Sequence, residues 1–283
     1  MILTIINSVE KLISNLDSVY DVLTAVEKIE MITDKETESS GSILLPDTAG
    51  AVSIDLKEVA FTFPNSPAAV FKNVSFSVKT NEKICIRGEE GAGKSTLLRL
   101  LAGSYEEFEG NILINGIPIK NYNLQSLRLK TGVVISQQDI FEGTLMDNIC
   151  MGLENVDINE IQMFCSKTGL TEYISTLKNG FDTQLSATGK RLPGHAIKKI
   201  LLVRAVINKP RLLLLEEPWI GLEEKYQQRI KQLLLSEMNN TTVLVITNDN
   251  GFAESCDKII ELKKEGCRVI MGNPQTPAGG EEL

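Results

Sequence analysis

The chain has 283 residues, of which 42% are hydrophobic, enough for one large domain or two small ones. Its 37 acidic and 29 basic side chains give a net charge of -8, which disfavours nucleic acid as a partner. Five scattered cysteines and a single histidine exclude a Cys/His zinc cluster and favour a reduced, cytosolic setting.

Residues 1–32 are expected to form one long helix, because apolar side chains recur at spacings of three and four residues. Its apolar stripe must be covered by its own domain, by a second copy in a coiled coil, or by a membrane domain from which it continues or on which it docks. No apolar run reaches membrane-spanning length and no cleavage site follows the apolar start, so the chain is expected neither to span a membrane nor to be exported. Residues 33–51 predict a linker, and residues 274–283 a flexible tail.

The pattern changes to strands after the linker. Alternating apolar and polar residues predict strands over residues 52–63 and 69–79, and residues 82–88 predict a buried strand. An Asn-Gly pair between two short apolar stretches predicts a hairpin over residues 110–119.

Helices and strands alternate in the remaining part. Helical spacing is found over residues 160–177, 196–208 and 223–238, and continuous apolar runs at 211–216 and 241–247 predict central strands. This alternation predicts an α/β fold with a mostly parallel, covered sheet in a domain over residues 52–273.

A glycine-rich loop follows the buried strand and opens a helix. Its sequence GEEGAGKST matches G-x-x-x-x-G-K-[ST] and consists of Gly88, Glu89, Glu90, Gly91, Ala92, Gly93, Lys94, Ser95 and Thr96. In this context backbone N–H groups wrap a phosphate chain, Lys94 reaches the terminal phosphates, and the Ser95 hydroxyl ligates magnesium. The sequence therefore predicts a site for a nucleoside triphosphate and Mg2+.

Two carboxylates follow the apolar run 212–215. Glu216 is expected to hold magnesium, and Glu217 to orient and deprotonate the attacking water. The alternative is that both are only exposed acids at a strand end. The phosphate loop favours the catalytic interpretation, because phosphoryl transfer needs such a carboxylate beside the loop.

The order of these motifs resembles the nucleotide-binding domain of ABC transporters, most like those of exporters, from Val52 to Gly272. The resemblance implies a P-loop NTPase (RecA-like) fold of the α/β class: a parallel sheet core with an antiparallel β subdomain and a helical signature subdomain. It also implies ATP and Mg2+ as ligands and ATP hydrolysis as the activity. The implied partners are a second ATP-binding domain, in a homodimer or heterodimer, and a transmembrane domain at the cytoplasmic face of the cell (inner) membrane.

The resemblance assigns roles to further residues. Phe63 stands where the family stacks an aromatic ring on adenine, although by itself it could equally be a core strand residue. Gln137, preferred to Gln138 because it follows an apolar strand and Ser136, corresponds to the glutamine that senses magnesium and touches the membrane partner. Asn248 stands at the position of the family's histidine, which contacts the terminal phosphate.

The stretch LPGHA occupies the position of the family signature LSGGQ and contains Leu192, Pro193, Gly194 and His195. In the family this motif closes over the ATP held by the other subunit. Pro193 lacks the hydroxyl and the N–H of a serine, and His195 has a side chain where glycine allows close approach. One interpretation is that nearby cations replace the missing donors: Arg191, His195, Lys198 and Lys199. The other is a loosened signature whose basic side chains face solvent.

These departures predict slow hydrolysis. Asn248 can donate a hydrogen bond but cannot carry a charge, and charge-assisted hydrogen bonds are roughly twice as strong as neutral ones. Glu216 adds one methylene group where the family usually has aspartate. Two rival functions remain: a nucleotide-binding switch with little or no hydrolysis, as in the degenerate half of an asymmetric dimer, and a DNA-repair or chromosome ATPase of the same fold. The retained Glu217 argues against the first rival, and the short chain between loop and signature argues against the second.

Overall fold

The computed structural model describes residues 2–34, 38–46, 50–64, 66–136, 140–153, 156–187 and 192–274. The chain divides into two compact units, Met1–Ser39 and Ser40–Leu283. The first unit contains helix α1 (Ile2–Thr33), which confirms the predicted long N-terminal helix. Within the described ranges, no helix is both long enough and apolar enough to cross a membrane.

The second unit contains the strands and the remaining helices. The strands are β1 (Ile54–Thr62), β2 (Ala69–Val78), β3 (Lys83–Arg87), β4 (Glu109–Ile114), β5 (Ile117–Pro118), β6 (Thr131–Val134), β7 (Gly143–Thr144), β8 (Gln184–Leu185), β9 (Leu212–Glu216), β10 (Thr242–Ile246), β11 (Lys258–Lys263) and β12 (Gly266–Met271). The helices are α2 (Lys94–Leu101), α3 (Leu124–Leu129), α4 (Leu145–Cys150), α5 (Ile158–Thr168), α6 (Leu170–Ile174), α7 (Gly194–Ile207), α8 (Glu224–Gln232) and α9 (Asn250–Glu254).

The strands form a six-stranded sheet in the order β12-β11-β3-β10-β9-β6 and a four-stranded antiparallel sheet in the order β2-β1-β4-β5. In the larger sheet β11, β3, β10, β9 and β6 run parallel, and the edge strand β12 is antiparallel to β11. Strands β7 and β8 form a separate pair. The predicted parallel core with an antiparallel β subdomain is confirmed.

Both faces of the six-stranded sheet are covered, because successive side chains of a strand point to opposite faces. In β9, Leu213 and Leu215 pack in one core with residues of α7, whereas Leu212 and Leu214 pack in the other core with residues of α2 and of the antiparallel sheet. None of these four side chains is more than 1% exposed. Burial on both faces explains why the central strands are continuous apolar runs.

The helical spacing over residues 160–177 corresponds to two helices, α5 and α6, with Gly169 between them. Gly169 has φ +76, and the Tyr226 ring occupies the space that a Cβ atom would need. The helix predicted over 223–238 forms as α8 and ends in a π-helical turn, Leu233–Glu237. The hairpin of β11 and β12 and the pair of β7 and β8 were not predicted.

Part of the predicted linker packs within the second unit. Ile43 forms a bridge with Tyr122, and the Leu45 amide donates to the Ser126 hydroxyl at 2.9 Å. Leu45 is buried in the core beneath the antiparallel sheet. The second compact unit therefore includes residues 40–51 of the predicted linker, and the predicted domain boundary at Val52 stays a prediction.

Candidate active site

The candidate site lies at the carboxyl ends of β3, β10 and β9, which are neighbours in the sheet. The phosphate loop follows β3, Thr247 and Asn248 follow β10, and Glu216 ends β9 with Glu217 next along the chain. Parallel strands end at the same edge of a sheet, so the topology brings these segments together. The segment after β6 joins them, because the Ser136 N–H donates to the Glu216 carboxylate.

The phosphate loop runs from Gly88 to Gly93 and leads into α2 at Lys94. Gly93 precedes the helix in the left-handed conformation, with φ +86. The Lys94 ammonium donates to the carbonyls of Gly88 at 2.8 Å and Glu89 at 2.7 Å. Among the other loop residues, Glu90 and Gly91 are exposed, Ser95 is half-buried, and Ala92 and Thr96 are buried. A glycine-rich loop that folds around an ammonium group fits a phosphate chain.

Glu216 is held by groups from two other segments. The Ser95 hydroxyl donates to its Oε1 at 2.6 Å, and the Ser136 N–H donates to its Oε2 at 2.9 Å. Burial alone would raise the pKa of the Glu216 carboxyl, but these hydrogen bonds and the charge of Arg99 outweigh burial, and the pKa lies below its usual value. An ionised carboxylate beside a hydroxyl is an oxygen donor set that fits Mg2+.

Glu217 occupies the turn that follows β9 and has φ +43, a left-handed conformation that is uncommon for a residue with a side chain. Its amide donates to the Ile246 carbonyl at 2.9 Å, and its Oε2 accepts from the Thr247 hydroxyl at 3.0 Å. Burial raises the pKa of the Glu217 carboxyl, and the bonds from Thr247 and the Asn248 amide, with the charge of Lys198, offset this only in part.

The two adjacent carboxyls therefore differ in proton affinity. The pKa of Glu216 is lowered and the pKa of Glu217 is raised. A carboxylate that stays charged suits a metal ligand, whereas one with higher proton affinity suits a general base. This difference in pKa favours the roles predicted for Glu216 and Glu217, which stay predictions.

The lysines expected to surround the signature point into their own chain instead. The Lys198 ammonium donates to the carbonyls of Glu217 at 2.9 Å and Ile220 at 3.0 Å. Lys199 is 4% exposed, and its ammonium donates to the Gly169 carbonyl at 3.1 Å. Both ammonium groups are bound to carbonyls of their own chain, which argues against the interpretation that they replace missing donors to a nucleotide. Lys198 is half-buried and Lys199 is buried, so the interpretation that they face solvent is also wrong for these two residues. Arg191 lies outside the described residues.

The signature segment forms the start of α7. The helix begins at Gly194 with Pro193 before it in an extended conformation, and Leu192 is half-buried. Pro193, Gly194 and His195 are exposed. The helix start is thus accessible to another molecule, with His195 in its first turn.

Phe63 follows the last residue of β1 and is 38% exposed, so it is not the core strand residue that the sequence also allowed. Its ring packs edge-on against Phe61, with centroids 5.0 Å apart, and against Tyr105 at 5.8 Å. Edge contacts of this kind fix the ring while part of it remains accessible for stacking.

Lys94, Ser95, Glu216, Glu217 and Asn248 lie at or after the carboxyl ends of neighbouring strands, and the roles of these residues stay predictions. Gln137 lies outside the described residues. Two contributors were missed, the Ser136 amide and the Thr247 hydroxyl, and Lys198 was expected at the signature rather than at the Glu217 carbonyl. Thr247 could have been found, because it is the last residue of the central strand predicted over 241–247, which must end beside Glu217.

A parallel sheet with this loop and these carboxylates at its carboxyl edge defines a P-loop nucleotide-binding domain. The family described as ABC transporter matches residues 71–219, more than half of the chain. The chain is 30% identical over 245 residues to ABC transporter B family member 13 of Arabidopsis thaliana, covering 85% of this chain and 20% of that protein. It is 31% identical over 244 residues to an export ATP-binding/permease protein of Rickettsia prowazekii, covering 86% of this chain and 42% of that protein.

A solved structure of a bacterial Atm1-family ABC exporter with ATP bound has the same fold, with a TM-score of 0.79 at 24% identity. The match covers 90% of this chain and 45% of that one. The chain belongs to the ABC transporter family. It spans less than half the length of the relatives that it matches.

Proposed function

We propose that the chain binds ATP with Mg2+, hydrolyses it, and thereby powers export across a membrane when two such domains pair. The observation that carries this proposal is the 2.6 Å contact between the Ser95 hydroxyl and Glu216, with Lys94 in the adjoining loop and Glu217 next along the chain. Phosphoryl transfer needs these groups: an ammonium for the phosphates, oxygen ligands for the metal, and a base for water.

ATP would be held at two places. The backbone N–H groups of residues 88–96 and the Lys94 ammonium would bind the phosphates. Phe63 would stack on adenine, and the accessible part of its ring supports this role. Asn248, exposed at the end of β10, would donate a hydrogen bond to the terminal phosphate.

Mg2+ would be held by Ser95 and Glu216, with Gln137 as a further ligand. The lowered pKa of Glu216 supports this assignment, because a charged carboxylate binds a hard cation best. When bound, Mg2+ neutralises charge on the phosphate oxygens. Glu217 would orient the attacking water and accept its proton, for which its raised pKa is suitable.

The partners would be a second ATP-binding domain, identical or homologous, and a transmembrane domain. The segment Leu192–His195, which is exposed from Pro193 onward, would close over the ATP of the second domain. The relative from Rickettsia prowazekii is described as an ATP-binding/permease protein, which supports a membrane partner at the cytoplasmic face of the membrane. Helix α1 would continue from that membrane domain or dock on it, and residues 33–51 would link it to the ATP-binding domain over 52–273, with the part around Ile43 and Leu45 packed against that domain. Residues 275–283 of the predicted tail lie outside the described residues.

Hydrolysis would be slow. Pro193 and His195 replace two small residues of the signature, and the contacts of Lys198 and Lys199 within the chain support a signature without added cationic donors. Asn248 would stabilise developing charge less than a histidine that can take a proton. The same residues favour the alternative function, a nucleotide-binding switch with little or no hydrolysis.

Steady-state ATP hydrolysis by the purified chain tests the proposal, with ATP binding measured separately at equilibrium. We expect slow turnover that Glu217→Gln abolishes while ATP binding remains, and loss of binding in Lys94→Ala. Glu265→Gln, at an exposed hairpin turn, is the matched control and should leave turnover unchanged. If wild type and Glu217→Gln both bind ATP and are equally inactive, the switch replaces the hydrolytic function.

A further inference from the structure

We propose that Lys198 is a positioning residue that holds Glu217 and the turn after it in the shape required for hydrolysis. The inference rests on the proposed function, because it takes Glu217 as the base. Lys198 lies in the second turn of α7, one turn beyond His195 in sequence. The sequence suggested a role for it at the nucleotide of another subunit, whereas its contacts lie within its own chain.

The contacts of Lys198 bracket the turn that follows β9. Its ammonium donates to the Glu217 carbonyl at 2.9 Å and to the Ile220 carbonyl at 3.0 Å. These carbonyls stand at either end of the segment 217–220, so one cation restrains both ends. Hydrogen bonds from a charged donor are roughly twice as strong as neutral ones, and Lys198 is half-buried, which limits competition from water.

The turn needs such a restraint because Glu217 has φ +43. A residue with a Cβ atom adopts this conformation only when its surroundings fix it. The Glu217 amide is fixed by the Ile246 carbonyl and its carboxylate by the Thr247 hydroxyl. Lys198 supplies the restraint on the carbonyl side of the same residue, so the base is held at three points.

The charge of Lys198 also acts on the site. Burial lowers the pKa of Lys198, and the carboxylates of Glu217 and Glu216 oppose that shift. The lysine in turn lowers the proton affinity of Glu217. Both carboxylates thus offset part of the cost of burying this ammonium group.

Helix α7 carries both the predicted signature residues and Lys198. Its first turn carries the signature residues Gly194 and His195, and its second turn carries the side chain that holds the base of the same chain. The start of α7 and Glu217 are therefore joined by one side chain. The approach of a second subunit at the start of α7 would act on a helix that directly contacts the catalytic turn.

Two variants of the full chain test the inference. Lys198→Met keeps much of the side-chain length but removes both hydrogen bonds and the charge, and Lys198→Arg keeps a cationic donor. Lys178→Met, at an exposed lysine, is the matched control. The measurements are kcat and KM for ATP, equilibrium ATP binding, thermal stability, and hydrogen exchange of the amides of residues 219–222 and of the phosphate loop.

We expect Lys198→Met to lower kcat by roughly ten- to a hundredfold with KM and ATP binding little changed, because a misplaced base costs about that much. Exchange should increase in residues 219–222 and stay unchanged in the phosphate loop. Lys198→Arg should restore most of the rate and the protection, and Lys178→Met should match wild type.

Two outcomes would overturn the inference. The first is unchanged exchange at residues 219–222 in Lys198→Met. The second is a loss of kcat that parallels a general loss of stability and is not restored by arginine. If the wild-type chain hydrolyses no ATP, the proposed function fails, and the exchange measurement still decides whether Lys198 holds the turn.

Discussion

Alanine in place of Gly93 is expected to destabilise the ATP-binding domain more than alanine in place of Gly91, although both glycines lie in the phosphate loop. Both have left-handed backbone conformations, with φ +86 at Gly93 and +76 at Gly91. A Cβ atom at Gly93 would stand 2.6 Å from Val70 Cγ1 and 2.7 Å from Phe71 Cδ1. At Gly91, no atom of the described chain lies within 4 Å of the Cβ position.

The expected magnitudes follow from these two differences. A left-handed conformation costs a residue with a side chain about 1–2 kcal/mol, and both variants carry this cost. Overlap in a packed region adds about 1–3 kcal/mol, and only Gly93→Ala carries it, because Phe71 is fully buried and cannot withdraw without disturbing the core. The free energy of unfolding should therefore fall by about 1–2 kcal/mol in Gly91→Ala and by about 2–5 kcal/mol in Gly93→Ala.

Urea denaturation of the two variants and of wild type measures these losses, and the slope of each transition reports whether the unfolded states remain comparable. ATP binding, measured beside it, should weaken in Gly93→Ala, since the displaced backbone leads directly into the helix that begins at Lys94. Equal losses of stability at the two positions would refute the steric reasoning. A stable Gly93→Ala variant would show that Val70 and Phe71 move aside at little cost.

Three further changes have expected outcomes. Burial raises the pKa of Glu217, so the stability contributed by its protonated form is present at low pH and is lost as pH rises through the folded-state pKa. Glu217→Gln should therefore raise Tm at pH 7, and thermal denaturation at acid pH should show the gain disappearing. Asn248→His should raise kcat, because imidazole can carry charge beside the terminal phosphate; an unchanged or lower kcat in the hydrolysis assay would contradict this. Lys199→Met should cost about 1–3 kcal/mol in urea denaturation, because the Gly169 carbonyl loses a charged donor and the Tyr226 ring loses a cation 4.6 Å from its centroid; Lys178→Met serves as the comparison.

The central strands could be predicted from sequence because their environment is uniform. Each residue of Leu212–Leu215 is buried whichever face it points to, so the apolar run alone indicates the strand. The break at Gly169 could not be predicted in this way. A glycine within a helical pattern is often tolerated, whereas here Gly169 ends α5 in a left-handed conformation, and the ring of Tyr226, far along the chain, leaves no room for a Cβ atom there.

The parts of the site that follow strand ends were predictable for a related reason. Ser95, Glu216 and Asn248 are placed by a motif or by the end of a recognisable strand, and parallel strands end together. The predicted position of Lys198 beside the nucleotide of another subunit was wrong, because helical periodicity locates a residue on a helix but does not identify the hydrogen-bond acceptors of its side chain. Those acceptors are two carbonyls of a turn that lies between other elements, and no local pattern connects that turn with α7.

The difference in pKa between Glu216 and Glu217 could not be predicted from the sequence, since the two residues are of the same type and adjacent. Glu216 continues the strand and meets the Ser95 hydroxyl and the Ser136 amide, which favour its charged form. At Glu217 the backbone turns to φ +43 and places the carboxyl beside Thr247, where burial outweighs the stabilising contacts. The change in backbone conformation at Glu217 thus gives Glu216 a carboxylate suited to binding a metal and Glu217 one suited to accepting a proton. Lys198 donates a hydrogen bond to the Glu217 carbonyl at this turn.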